Sequence, residues 1–139
     1  FNLIRFHLKL ALFFIDLDRF KDVNDTYGHQ VGDIVLKETA DVLKQNIRKS
    51  DTLGRWGGEE FLILCPHSTL DDAEILAKRI QKVVAEHVFD TVKHLTCSFG
   101  LAQYQPKESF VSWFDRTDSA MYQAKKKGRN LVVKAREAN

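Results

Sequence analysis

Apolar runs alternate along the chain with polar, glycine-bearing joints, and the spacing inside each run points to its element. "LALFFI", Leu10 to Ile15, is continuously apolar and runs on into the acids of "DLD". It is far short of the roughly 20 residues a membrane span needs, so it reads as a buried strand. "KDVNDTYGHQVGD" is rich in Asn, Asp and Gly and reads as a loop that ends where a helix begins. From Val31 to Lys49, Leu36, Ala40, Leu43 and Ile47 recur at steps of four, three and four, the stripe of an amphipathic helix. "DTLGRW" and "EEFLILC" read as a hairpin around Gly57-Gly58. "TLDDAEILAKRIQKVVAEH" reads as a second helix with Thr69 or Asp71 as its cap, and Ala73, Leu76, Ala77, Ile80, Val83 and Val84 on one face. "HLTCSFGLAQY" is a strand, and Ser109 to Lys127 a third helix stopped by Gly128. "NLVVK" is a short closing strand.

The order β-α-β-β-α-β followed by α-β fits an α+β fold of the ferredoxin-like or palm type, with an antiparallel central sheet and helices packed around it. The 139 residues make one domain, 1–139, large enough for a real core. A net charge of +2 argues against a general nucleic-acid binder. Cys65 and Cys97 lie in apolar strand-like runs, as reduced core thiols of a cytoplasmic protein would. The first residue is Phe1 rather than Met, so a trimmed chain is expected, with targeting signals and neighbouring domains out of view.

Candidate chemistry gathers where "FFIDLD" and "GGEEF" would be neighbouring strands. Two carboxylates at adjacent strand ends, Asp16 and Glu59, can hold Mg²⁺, which takes oxygen ligands and keeps water and substrate phosphates in its shell. The plain alternative is a set of exposed acids paired with lysines. The "DRFKDVND" loop offers backbone N–H groups and Lys21 to an anion, or is an ordinary strand-to-helix connection. Asn24 can both donate and accept, and Asp33 accepts while ionised. Such a carboxylate can take both N1–H and the exocyclic amine of guanine, but it would face the bare N1 acceptor of adenine. Asp33 is equally placed to cap the following helix. Lys125 and Arg129 complement the end of the third helix or bind phosphate.

Together these stretches resemble the GGDEF-domain diguanylate cyclases. The signature appears as "GGEEF", Gly57 to Phe61, and around it "FFIDLDRFKDVNDTYGHQVGD", "RKSD", "SFGLA" and "TDSAMYQAKKKGRN" fall in the family's order over nearly the whole chain. The resemblance implies condensation of two GTP into cyclic di-GMP with release of two pyrophosphates, across a homodimer in which each chain holds one GTP. It implies Mg²⁺, with Mn²⁺ as an alternative, on Asp16, Glu59 and the Leu17 carbonyl. Glu59 and Glu60 would be the catalytic acids, Glu59 helping to deprotonate the attacking hydroxyl. Asn24 and Asp33 would read guanine, while Arg19, Phe20, Lys21, Gly58, Lys125 and Arg129 would hold the rest of the nucleotide. Arg48 and Asp51, as the Arg-x-x-Asp five residues ahead of the signature, would with Arg79 bind the product as a feedback inhibitor.

The family's usual opening segment, Asp-x-Leu-Thr-Gly-Leu-x-Asn-Arg, is not visible before "FNLIRFHLK". The expectation is therefore a domain lacking its start, with an upstream sensor or dimerisation domain and a cytoplasmic location, tethered or not to a membrane through that unseen part. Two rival readings remain beside the active enzyme. One is a catalytically silent cyclic di-GMP receptor, and the other a GTP-binding regulatory module attached to a phosphodiesterase domain.

Overall fold

A computed structural model describes residues 9–137, so the expected truncated start, Phe1 to Leu8, lies outside the described residues. Strand β1 (Leu10–Leu17) sits at the centre of a five-stranded sheet, with β2 (Thr52–Arg55) and β3 (Glu60–Pro66) on one side and β4 (Cys97–Gln103) and β5 (Val132–Lys134) on the other. The order is β2-β3-β1-β4-β5. Every pairing is antiparallel as expected except the last, in which β5 runs parallel to β4. That closing strand returns through a helical crossover, the connection a parallel neighbour requires.

Both faces of the sheet are covered, which explains why β1 is apolar without alternation. Ala11, Phe13, Ile15 and Leu17 face one way and join Phe61, Ile63, Phe99 and Leu101 in the main core. That side is packed by three helices: α1 (Phe20–Tyr27), α2 (His29–Gln45) and α3 (Leu70–Glu86). The opposite face carries Leu12, Leu62, Leu64 and Ala102 under α4 (Phe110–Lys126), whose Trp113 donates its indole N–H to the Ala102 carbonyl at 3.0 Å. Gly100 makes that packing close. A Cβ there would stand 2.2 Å from the Thr117 carbonyl oxygen and 2.3 Å from the Met121 nitrogen, so helix backbone lies directly on the strand.

The stretch expected as a loop, "KDVNDTYGHQVGD", is mostly helix. Phe20 and Val23, three positions apart, are both buried and anchor α1, a short apolar signal hidden among polar neighbours. Gly28 then breaks the chain between α1 and α2 with φ 89° and ψ 163°, a conformation open essentially to glycine alone. Helix α2 stops at Gln45 rather than Lys49, because Asn46 caps it: its side-chain amide donates to the Val42 carbonyl at 2.7 Å. The caps of the other helices fall as expected. Thr69 forms a reciprocal capping box with Asp72, Ser109 accepts from the Ser112 N–H, and Gly128 follows α4 with φ 126°. Both cysteines are buried free thiols, and burial pushes Cys65 up to about 12. Among the described residues no helix is long and apolar enough to cross a membrane.

Candidate active site

The ends of β1 and β3 place Asp16 directly opposite Glu60, and on its other side opposite Ser98 of β4. Cross-strand partners share a face, so Asp16 and Glu60 lie on the α4 side of the sheet. Glu59 is adjacent through the backbone, its carbonyl accepting the Leu17 N–H at 3.1 Å. Across from these acids stands Lys125 of α4, with its Nζ 3.0 Å from Asp16 Oδ1. Asp16 is only 6% exposed. Burial pushes its carboxyl up to about 6, Lys125 pulls it back, and Glu59 and Glu60 push it further up. Glu60 is also raised, by burial first and by Glu59 second.

The Gly57-Gly58 tip differs from the expected reason for a glycine pair, since neither residue has positive φ. Gly57 answers a steric demand, because a Cβ there would lie 2.6 Å from Glu60 Oε1. Arg55 clasps the turn, donating to the carbonyls of Gly57 and Gly58 at 3.2 and 2.7 Å. The tip is thus shaped by the glutamate it precedes.

Asn24 packs against Gly32, the residue before Asp33 on α2. A Cβ at Gly32 would stand 1.9 Å from Asn24 Oδ1, so only glycine lets the Asn24 amide lie against α2. Asp33 does not cap that helix; Gly28 occupies the cap, and Asp33 is exposed on the next turn. Among the described residues, two buried side-chain polar atoms lack a hydrogen-bond partner: Asp16 Oδ1 and Asn24 Oδ1. For Asp16 this qualifies the Lys125 contact, which is a close ion pair without the direction of a hydrogen bond.

Around these groups the backbone is strained. Arg19, Arg129 and Asn130 all have positive φ, at 57°, 66° and 50°. Such residues cost on the order of 1–3 kcal/mol each and persist where the surroundings over-determine them. At Asn130 the backbone is held by Asp18, to which the sequence alone assigned no role. It is buried, accepts from Thr96 Oγ1 at 2.7 Å, Ser98 Oγ at 2.6 Å and the Asn130 N–H at 2.9 Å, and so ties the β1 exit to the turn after α4. The alternation of acids in "IDLD" was its only trace. Phe20 is a buried member of the core, leaving its backbone as the part able to meet a ligand. Lys21 is exposed and paired with Asp25 at 3.1 Å, apart from the Asp16 cluster's own contacts. Gly58 is exposed at the hairpin tip.

The Arg48–Asp51 turn forms a second polar group. The Asp51 side chain is fully buried, accepting from the Arg48 backbone N–H at 2.8 Å and from its guanidinium at 3.1 Å. Arg48 also donates to the Pro66 carbonyl and Ser68 Oγ, both at 2.8 Å. Arg79 reaches the neighbouring Asn46 carbonyl at 2.6 Å.

A divalent ion fits the first cluster on chemical grounds. It offers hard carboxylate oxygens, one of them buried without a directed partner, and like charges crowd around it. No group of three His, Cys, Asp or Glu side chains suited to a metal occurs among the described residues. That leaves a site of few protein ligands, the kind Mg²⁺ completes with water and phosphate.

Sequence and structure comparisons place this arrangement. The profile described as "Diguanylate cyclase, GGDEF domain" matches residues 2–131. Diguanylate cyclase DgcM of Escherichia coli is 44% identical over 133 residues, which are 93% of this chain and 32% of that protein. The chain therefore spans about a third of the length of this relative. The active GGEEF domain of a diguanylate cyclase from Vibrio cholerae superposes with a TM-score of 0.89 at 32% identity, covering 99% of this chain and 89% of that one. The GGDEF domain of DgcB from Caulobacter crescentus, solved in complex with c-di-GMP, gives 0.89 at 30% identity, over 96% of this chain and 81% of the other. With fold, signature hairpin and profile agreeing over nearly all of its length, the chain belongs to the diguanylate cyclase GGDEF-domain family.

Proposed function

We propose that the domain condenses two GTP molecules into cyclic di-GMP, two chains meeting face to face with one nucleotide each. The observation that carries this is the pair of orphaned acceptors. Buried polar atoms are nearly always satisfied, and the two exceptions among the described residues are Asp16 Oδ1, of the proposed metal site, and Asn24 Oδ1, of the proposed base site. Asn24 Oδ1, together with the exposed Asp33 carboxylate, would suit a base edge rich in donors, as guanine's is. Adenine would set an acceptor against these acceptors, which is costly once water is excluded.

Asp16, Glu59 and the Leu17 carbonyl would hold Mg²⁺ or Mn²⁺. When bound, such an ion lowers the pKa of a hydroxyl and neutralises leaving-group charge. Glu59 would take the proton of the attacking 3′-hydroxyl, and Glu60, opposite Asp16, would add negative charge that favours a cation there. The backbone at Arg19 and Phe20, the first of them at positive φ, would with Lys21, Lys125 and Arg129 supply donors and positive charge to the phosphates, while Gly58 would leave room at the tip. The 3′-oxygen of one GTP forms a bond to the α-phosphorus of the other. The bond to the β-phosphate oxygen breaks and pyrophosphate leaves; repetition in the opposite sense closes the ring. Fixed geometry and charge supply most of the acceleration in such chemistry.

Arg48, Asp51 and Arg79 form the product-binding inhibitory site in this reading. The buried Asp51 would orient Arg48, whose half-exposed guanidinium would meet acceptors of the guanine and phosphate groups. The test is incubation of the purified chain at high concentration with GTP and Mg²⁺, followed by chromatography, with Glu59→Ala alongside. Cyclic di-GMP from the parent and none from the variant is the expected result. Tight cyclic di-GMP binding with neither GTP binding nor product would overturn the enzyme in favour of a receptor.

A further inference from the structure

We propose that Lys125 is the resident counter-ion of Asp16, holding the metal's place until a divalent cation displaces it and releases the ammonium toward the nucleotide phosphates. The inference rests on the metal reading of Asp16 given above. Lys125 is expected on phosphate, yet its Nζ lies 3.0 Å from Asp16 Oδ1, within an acidic group that includes Glu59 and Glu60.

A carboxylate as buried as Asp16 is costly without a partner, and more so beside two further acids. Lys125 meets that need from the last turn of α4, its side chain only 23% exposed and that of Asp16 9%. The helix is brought close enough by the bare Gly100, where its backbone touches the sheet. Its neighbour in sequence does something else: the Lys126 ammonium sits over the Tyr122 ring, 5.5 Å from its centre. The contact made by Lys125 is close but poorly directed, so Oδ1 retains its hydrogen-bonding capacity. Such a pairing is held by charge more than by orientation. A lysine ammonium, a compact charge on a flexible four-carbon stem, is suited to leave it. A guanidinium locked in a fork would not be.

The consequence has an unusual sign. Removing a positive residue expected to serve the nucleotide should strengthen metal binding when no nucleotide is present. Mn²⁺ binding to the whole chain, followed by the electron paramagnetic resonance signal of the free ion, tests this with wild type, Lys125→Met, Lys126→Met and Asp16→Asn. Lys125→Met is expected to bind Mn²⁺ about tenfold tighter than wild type, a change of about 1.4 kcal/mol. Lys126→Met should change by less than about twofold, because an exposed charge is screened. Wild-type affinity unchanged or weakened in Lys125→Met overturns the inference, as does an equal gain in Lys126→Met, which would mean bulk charge alone. If Asp16→Asn abolishes binding in those cases, the metal reading survives without the exchange. No Mn²⁺ binding by any chain, with or without GTP, overturns both. A second readout needs no variant. The Lys125 side-chain amine resonance of the wild-type protein should shift on titration with Mg²⁺, and a resonance that stays in place refutes displacement.

Discussion

Gly100→Ala isolates the contact that brings α4 onto the sheet. The added Cβ would stand 2.2 Å from the Thr117 carbonyl oxygen, 2.3 Å from the Met121 nitrogen and 2.9 Å from the Met121 Cα. Ordinary contacts begin near 3.5 Å, so helix and strand must separate by on the order of 1 Å, and no side-chain rotation can relieve backbone atoms. Overpacking usually costs about 1–3 kcal/mol, and a clash with two backbone groups belongs at the upper end, about 3 kcal/mol. Gly54 provides the control, since a Cβ there meets nothing within 4 Å. Gly54→Ala should stay within about 0.5 kcal/mol of wild type. Urea unfolding followed by circular dichroism reads the difference. With a slope of about 2 kcal/mol per molar, Gly100→Ala lowers the midpoint by about 1.5 M. The site should suffer as well, because the helix that moves carries Lys125. A Gly100→Ala midpoint indistinguishable from that of Gly54→Ala would refute the close-packing argument.

Gly57→Ala should behave in the opposite way. Its Cβ displaces only the Glu60 carboxylate tip, so stability stays within about 0.5 kcal/mol while cyclic di-GMP synthesis falls sharply; equal losses of both would contradict it. Arg48→Ala leaves the buried Asp51 carboxylate without its guanidinium, costing about 1–3 kcal/mol. Calorimetry should also show at least a tenfold loss of cyclic di-GMP affinity, about 1.4 kcal/mol. The Arg116 guanidinium, hydrogen-bonded at 2.6 and 2.8 Å, holds Glu108 below the usual carboxylate range. Because its folded value is depressed, the stabilisation is complete above the ordinary glutamate value of about 4.3 and is lost as pH falls through the folded value. The stability gap between wild type and Glu108→Gln should therefore be flat near neutrality and shrink in acid; a gap that widens in acid would reverse the assignment.

What could be read from the sequence followed the strength of its periodicity. β1, α3 and α4 each carry a long apolar pattern, and their bounds fell within a residue or two of expectation. Helix α1 was missed because Phe20 and Val23 are its only buried residues, while Asn24, Asp25 and Gly28 advertise a turn. The parallel edge was missed because a three-residue strand such as β5 carries no sign of direction. At the site, the acids and bases were legible as residue types, and the structure groups Asp16 with Glu59, Glu60 and Lys125, and Arg48 with Asp51. Their internal pairings were not legible. That Asp16 faces Glu60 depends on strand register, and that Gly32 and Gly57 are shaped by Asn24 and Glu60 depends on contacts between side chains. Asp18 was invisible for the same reason, since its partners Thr96, Ser98 and Asn130 lie 78, 80 and 112 positions away.

Those separations also set a timetable. A chain emerging from the ribosome makes β1 early, but its β4 partner is complete only at Gln103, and the turn that Asp18 holds only at Asn130. Loop-closure entropy must be met before such distant contacts repay it, so folding waits for nearly the whole domain. The β1 exit and the Arg129–Asn130 turn thus acquire their shape together, late in the folding of the domain. A ribosome stalled before that point would present the acidic strand end without the basic turn that faces it. The long-range hydrogen bond ties the shape of the acidic strand end to residues more than a hundred positions further along the chain.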